Sequence, residues 1–332
     1  MSAYTIKHVT RYTYAAEVID GANQIMLYPL ADDRLEVERH EVCVSHDSGV
    51  RPDTVIDTYT DAFGNTVGTF TVLPPHTVLV IESNAAVTPR PILFPMDEQP
   101  AEEQWRDLRS RQQDAAFIDF LVQEDFPSLP DLKTTLNQLV DYAEKPLKNA
   151  LVLSEYVFDH FDYRQGVTNV ETPAEEIWRL KAGVCQDFAH MLLAMLRLVG
   201  VPARYVSGYV CPKDEGVRGT GATHAWVEAY IPFYGWLGVD PTNNCIVNDG
   251  HVRLAIGRNF QDCTPVKGTY KGIGTHRLTV SVNIESNQAD HAEQPTLAPA
   301  PAYEVPDPEQ PVNSYQRYME LLLRQQQEQQ QQ

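Results

Sequence analysis

The chain changes its hydrophobic period at one place, and that change constrains its fold more than any other feature. Up to about Val87 the apolar residues recur at every second position. Tyr4, Ile6, His8, Thr10, Tyr12 and Tyr14 alternate with mostly polar neighbours, and LEVERHEVCVS (35–45), NTVGTFTVL (65–73) and TVLVIES (77–83) are short β-branched runs. DAFGN (61–65) and the Pro74–Pro75 pair supply turn chemistry between them. Strands with one dry face each must pair and stack, which gives a small antiparallel sandwich or barrel.

PRPILFPMDEQP at 89–100 ends that pattern. Helical spacing follows over 101–124 and 131–160, where Leu132, Leu136, Leu139 and Val140 and then Leu151, Tyr156 and Val157 share faces. A third helical stretch opens at Thr172-Pro173, and a fourth runs from Cys185 to Gly200, with Pro202 beyond it. Strand patterns return in RYVSGYV (204–210), THAWVEAYI (223–231), GWLGVD (235–240) and HRLTVSVNI (276–284). Strands, helices and strands again make an α+β protein. The expected domains are a β-rich N-terminal domain at 1–95, a helical connector at 96–150, a core at 151–250 and a C-terminal β extension at 251–285. Residues 286–332 read as a Pro-rich linker, with YQRYMELLLR as a short helix candidate, and a Gln-rich tail without chemistry.

Several function classes fall away. The formal charge is −19, and an acidic body repels phosphate backbones, which argues against nucleic-acid binding. The longest apolar stretch, MLLAMLRLVGV (191–201), is too short to span a bilayer, and the first residues lack a signal-peptide core. Five cysteines without a C-x-x-C pair suit neither a disulfide framework nor a zinc site, and they fit a reducing compartment. The expectation is a cytoplasmic protein with no membrane partner, no metal and no cofactor. The sequence sets no oligomeric state.

Chemistry concentrates at AGVCQDFAHML (182–192). Cys185 stands at the amino end of a helix that is apolar nearly all round, where free backbone N–H groups and the helix dipole favour a thiolate. On its own such a cysteine reads as a small core hydrophobe. A base decides the matter. His190 lies five residues along the same helix, turned about 140° away, and reads as a packed histidine. His224 heads a strand with two faces, one made of His224, Trp226, Glu228 and Tyr230, the other of Ala225, Val227, Ala229 and Ile231. The small aliphatic face suits packing on the central helix. The next strand ends at Asp240. A hairpin loop of odd length puts Asp240 opposite Trp226, on His224's face and about 7–8 Å from it between backbones. An even loop puts it on the other face. A carboxylate there could orient the imidazole, completing a nucleophile, base and orienter. The plainer reading of Asp240 is that D-P-T ends the strand as a turn.

These residues carry a resemblance. G-V-C-Q-D-F-A (183–189), L-V-G-V-P-A-R-Y-V-S-G-Y (198–209), H-A-W-V-E-A-Y (224–230) and G-W-x-x-x-D-P-T (235–242) resemble the bacterial transglutaminase-like proteins, a branch of the papain-like cysteine enzymes. The first 90 residues are similar to that family's β-rich N-terminal region, and GRNFQDCTPVKGTYKG (257–272) to its C-terminal extension. The resemblance implies a helix carrying Cys185 packed on an antiparallel sheet carrying His224 and Asp240. It implies Cys185 as nucleophile, His224 as general base and Asp240 as the residue that holds the histidine. The implied reaction is acyl transfer from an amide of a peptide or protein through a thioester. The backbone N–H of Cys185 is the natural oxyanion donor. The family's additional side-chain donor has its nearest counterpart in Tyr163, with Trp178 as a competitor. No run of alternating acids resembles a calcium loop. Three functions then compete: a peptidase or amidase that passes the acyl group to water, a protein-glutamine γ-glutamyltransferase that passes it to lysine, and a non-catalytic binding module.

Overall fold

The computed structural model describes residues 3–48, 54–92, 94, 96–211, 218, 221–286 and 303–304. Alternation in the sequence becomes alternation of burial. In β1 (Tyr4–Ile25), Tyr4, Ile6, His8 and Thr10 are buried while Thr5 and Lys7 face solvent. The polar members of that buried row are paired. His8 is hydrogen-bonded to the hydroxyls of Tyr209 and Thr10, each at 2.9 Å, and burial pushes its pKa down to about 4.

The strands β2 (Leu35–His46), β3 (Asp57–Thr60), β4 (Thr66–Val72) and β5 (His76–Pro89) are all antiparallel to their neighbours. At 22 residues β1 is long enough to serve two layers. Its residues 4–13 pair with β5, its register breaks before Val18, and residues 21–25 pair with β4. A single bent strand thus joins both layers, and Ile6, Ile25, Leu27, Phe70, Leu79 and Ile81 fill the space between them.

The helical region is more broken than its spacing predicts. Helix α1 (Ala101–Ser110) stops well short of 124, and only the 3-10 turn Ile118–Phe120 lies beyond it. Phe117 and Phe120 leave the helical path to pack edge-on against Tyr230 and Trp236. The expected run over 131–160 is two helices, α2 (Leu129–Leu139) and α3 (Pro146–His160). Pro146 fixes the first position of α3, and the Asn149 side chain ties down both the N–H and the carbonyl of Asp141.

The chain then lays down β6 (Asp162–Tyr163), α4 (Ala174–Leu180), β7 (Ala182–Gly183) and α5 (Cys185–Leu198). Five strands follow: β8 (Ala203–Val210), β9 (His224–Ile231), β10 (Gly235–Asp240), β11 (Cys245–Ile246) and β12 (His251–Gly257). They form an antiparallel sheet in the order β11-β10-β9-β8-β12. Helix α5 is the buried centre, with Phe188, Ala189, Met191, Leu192, Met195 and Leu196 fully covered. It shares one core with Ala225, Val227, Ala229 and Ile231, the small face of β9.

Another part of the sheet belongs to a second core. Tyr209, Cys211, Val252 and Leu254 pack with the N-terminal layers. The segment 251–285 divides accordingly. Strand β12 pairs with β8 and completes the sheet, while β13 (Val266–Lys271) and β14 (His276–Ser286) return to pair with β1. The Pro-rich linker, the YQRYMELLLR helix candidate and the Gln-rich tail lie outside the described residues, apart from Ser286 and residues 303–304. Among the described residues no helix is long and apolar enough to cross a membrane.

Candidate active site

Cys185 owes its position to a tightly held approach. Helix α4 ends with Lys181 in the left-handed region, at φ 47°, which redirects the chain into the short parallel pair of β6 and β7. Val184 is extended, and Cys185 opens α5. The Asp187 carboxylate reaches back to accept the Val184 N–H at 2.7 Å and the Thr168 hydroxyl at 2.7 Å. Gly183 permits this, because a Cβ there would lie 2.3 Å from Asp187 Oδ2. The first N–H groups of a helix have no acceptor within it, which holds for those of Cys185 and Gln186. Cys185 itself is half-buried.

His224 and Asp240 arrive from the sheet. Gly235 pairs with Ile231, so 232–234 form a three-residue loop, the odd length that puts Asp240 on His224's face. His224 Nε2 lies 2.8 Å from Asp240 Oδ2, with both side chains fully buried. Burial opposes charge on the imidazole. The Asp240 carboxylate and the Cys185 sulfur outweigh it and hold His224 up to about 10. The same pairing holds the Asp240 carboxyl far below its ordinary range, again against burial. His224 Nδ1 has no conventional hydrogen-bond partner among the described residues, which leaves that nitrogen for the thiol.

Asp240 does more than the sequence assigned to it. Its Oδ1 accepts the backbone N–H groups of Thr242 and Asn243 at 2.9 and 3.3 Å, which is the turn chemistry of D-P-T. Its Oδ2 accepts from His224, from Asn243 Nδ2 at 2.8 Å and, more weakly, from His251 Nε2 at 3.4 Å. The backbone bonds of the turn and the bond to His224 use separate oxygens. Sequence reasoning missed Asn243 and His251. The Asn at the third position after Asp240, a common turn spacing, was the available signal for the first. Nothing local marks the second, which comes from the far edge of the sheet.

Of the remaining residues, Tyr163 pairs with Gly183, two positions before the cysteine, and its ring faces Phe188 with the Arg218 guanidinium 5.7 Å from its centre. Trp178 is buried against Phe161 in the helical core. His190 is packed: its Nε2 accepts the Phe260 N–H at 3.2 Å, and burial pushes it down to about 4.

Comparison with known proteins agrees with this architecture. Residues 4–88 match the bacterial transglutaminase-like N-terminal region, and residues 133–241 match the transglutaminase-like superfamily core. An uncharacterized protein of Mycobacterium tuberculosis is 30% identical over 302 residues, covering 86% of this chain and 94% of that protein. The chain belongs to the transglutaminase-like superfamily. A transglutaminase-like fold typically serves cysteine-dependent enzymes. The structure of a candidate cysteine protease from Cytophaga hutchinsonii shares the fold, with a TM-score of 0.68 at 20% identity over 88% of this chain and 92% of that one. A protein-glutamine gamma-glutamyltransferase of Pseudomonas aeruginosa is 30% identical over 103 residues, which is 28% of this chain and 15% of that protein.

Proposed function

We propose that this transglutaminase-like protein is a cysteine peptidase or amidase that cleaves amide bonds of a peptide or protein through Cys185, His224 and Asp240. The observation that carries the reading is the buried His224–Asp240 pair at 2.8 Å, with the other imidazole nitrogen left for a partly buried thiol at a helix start. The Cys185 sulfur attacks the amide carbon, and the oxyanion of the tetrahedral intermediate accepts the backbone N–H of Cys185. The Tyr163 hydroxyl is a second donor in this reading. The His224 imidazolium gives its proton to the departing amine as the C–N bond breaks, which leaves a thioester. Water then attacks with His224 as base, releasing the carboxylic acid and restoring the thiol. Asp240 fixes the ring and stabilises its charge throughout.

The five free cysteines support a cytoplasmic site of action, and the acidic surface supports a protein or peptide partner over a nucleic acid. The second reading, transfer of a glutamine acyl group to lysine, is favoured by the Pseudomonas relative. One experiment separates the two. A glutamine-bearing protein such as casein is incubated with wild type and Cys185→Ala, with and without a labelled primary amine. Peptide-bond cleavage or ammonia release without amine incorporation supports hydrolysis. Incorporation supports transfer. Activity of neither kind, or activity equal in Cys185→Ala, overturns the proposal.

A further inference from the structure

Two metal-ligating side chains, Cys245 and His251, gather around Asp240 of the candidate triad, a grouping that the mechanism above does not need. Asp240 and Cys245 are direct register partners across β10 and β11, and His251 opens β12. One ligand atom from each lies within 4.8 Å of the other two. Asp240 is fully buried, the His251 side chain is 3% exposed and Cys245 is half-buried. Zinc bonds of about 2.0–2.3 Å at tetrahedral angles place donor atoms about 3.3–3.6 Å apart. The His251 Nε2–Asp240 Oδ2 edge is already 3.4 Å. Only the sulfur must draw in, and Cys245 sits on a two-residue edge strand. Trp226 packs edge-on against the His251 ring at 5.2 Å and steadies it.

We propose that Asp240, Cys245 and His251 form an inhibitory site for zinc. A thiol, an imidazole and a carboxylate are the donor set that selects this ion over magnesium or calcium. On binding, the Cys245 S–H loses its proton to solvent and the sulfur bonds the metal. The proton on His251 Nε2 moves to Nδ1, at the cost of one long 3.4 Å contact from the Asn248 N–H. No redox step is involved, and a fourth position stays open for water. The inhibitory half of the proposal rests on the function proposed above. The metal would take the Asp240 oxygen that accepts from His224, and its charge would repel the imidazolium 2.8 Å from that oxygen.

Cobalt(II) is the probe, added to full-length Cys185→Ala, which removes the competing Cys185–His224 pair. A near-ultraviolet thiolate-to-cobalt band, displaced by zinc and lost on adding Cys245→Ser, is the expected result. If that double variant does not fold, His251→Gln in the Cys185→Ala background must weaken or shift the band. No band in Cys185→Ala, or a band unchanged by these substitutions, overturns the site whether or not the protein is an amide hydrolase. Where turnover is measurable, zinc must inhibit wild type and lose that effect in Cys245→Ser. Equal inhibition of both places the zinc on Cys185 and overturns the switch.

Discussion

Asp240 and His224 meet through one oxygen and one nitrogen, Oδ2 and Nε2, 2.8 Å apart with no solvent exposure on either side chain. The second oxygen of Asp240 is occupied by the N–H groups of its own turn, so the carboxylate cannot rotate without breaking bonds on both sides. The imidazole is therefore held in one plane, with Nδ1 on the side away from Asp240.

That arrangement separates the effects of two substitutions. In the proposed mechanism Cys185→Ala removes a nucleophile with no substitute and should lower turnover about 10⁴-fold or more, while Asp240→Asn should lower it about 10²–10⁴-fold and leave a residue. Thermal unfolding of Cys185→Ala should stay close to wild type, because a partly buried thiol is replaced by a methyl group and loses little apolar surface. Steady-state rates and a melting curve for each variant check both statements.

The pH dependence follows from the same pair. His224 is raised from 6.5 to about 10, so its stabilising contribution is complete below 6.5 and is lost as pH rises toward about 10. Asp240 is depressed below 3.8, so its contribution is present above 3.8 and is lost as pH falls. Both contributions are complete between about 4 and 6.5. Urea midpoints should therefore decline in wild type from about pH 6.5 to 10, and the decline should flatten in Asp240→Asn, whose histidine has lost its counter-charge. The basic limb of the rate profile should move to lower pH in the same variant.

Much of this was legible in the sequence, for physical reasons specific to each residue. The dry face of β1 and the small face of β9 follow from a period of two. Cys185 is visible because a helix start has its own chemistry. Asp240's face hangs on loop parity, and Gly235 opposite Ile231 gives the odd loop. What could not be read are contacts between segments distant in sequence. Phe117 and Phe120 carry helical spacing but satisfy a tertiary demand at Trp236 and Tyr230 instead. His251 reaches Asp240 across the hairpin, and β13 and β14 close the N-terminal layers from the far end of the chain.

Glu228 makes another such contact. It is wholly buried, yet Arg204, Arg253 and Arg34 overcome that burial and hold its carboxyl below the usual range. Arg204 Nε and Arg253 Nη1 donate to it at 2.7 and 3.1 Å, and Arg34 comes from the N-terminal half. Arg253 also pairs with Asp32, so the cluster ties the two halves together. Glu228→Ala leaves cations without their anion and should cost about 3–5 kcal/mol by urea denaturation. Loss of less than about 1 kcal/mol, the range of exposed pairs, would show that the cluster is not a structural tie.

The proposed chemistry requires Cys185 to be a nucleophile activated by His224. The direct measurement is limiting iodoacetamide near pH 6, where an ordinary thiol with a pKa of about 8.5 is almost wholly protonated. Label is counted by mass spectrometry at Cys43, Cys185, Cys211, Cys245 and Cys263, in wild type and in His224→Ala. Cys185 should be labelled first in wild type, ahead of the exposed Cys43, and should lose that preference in His224→Ala. Labelling at Cys185 no faster than at Cys43, or unchanged by the loss of His224, would contradict the proposed chemistry.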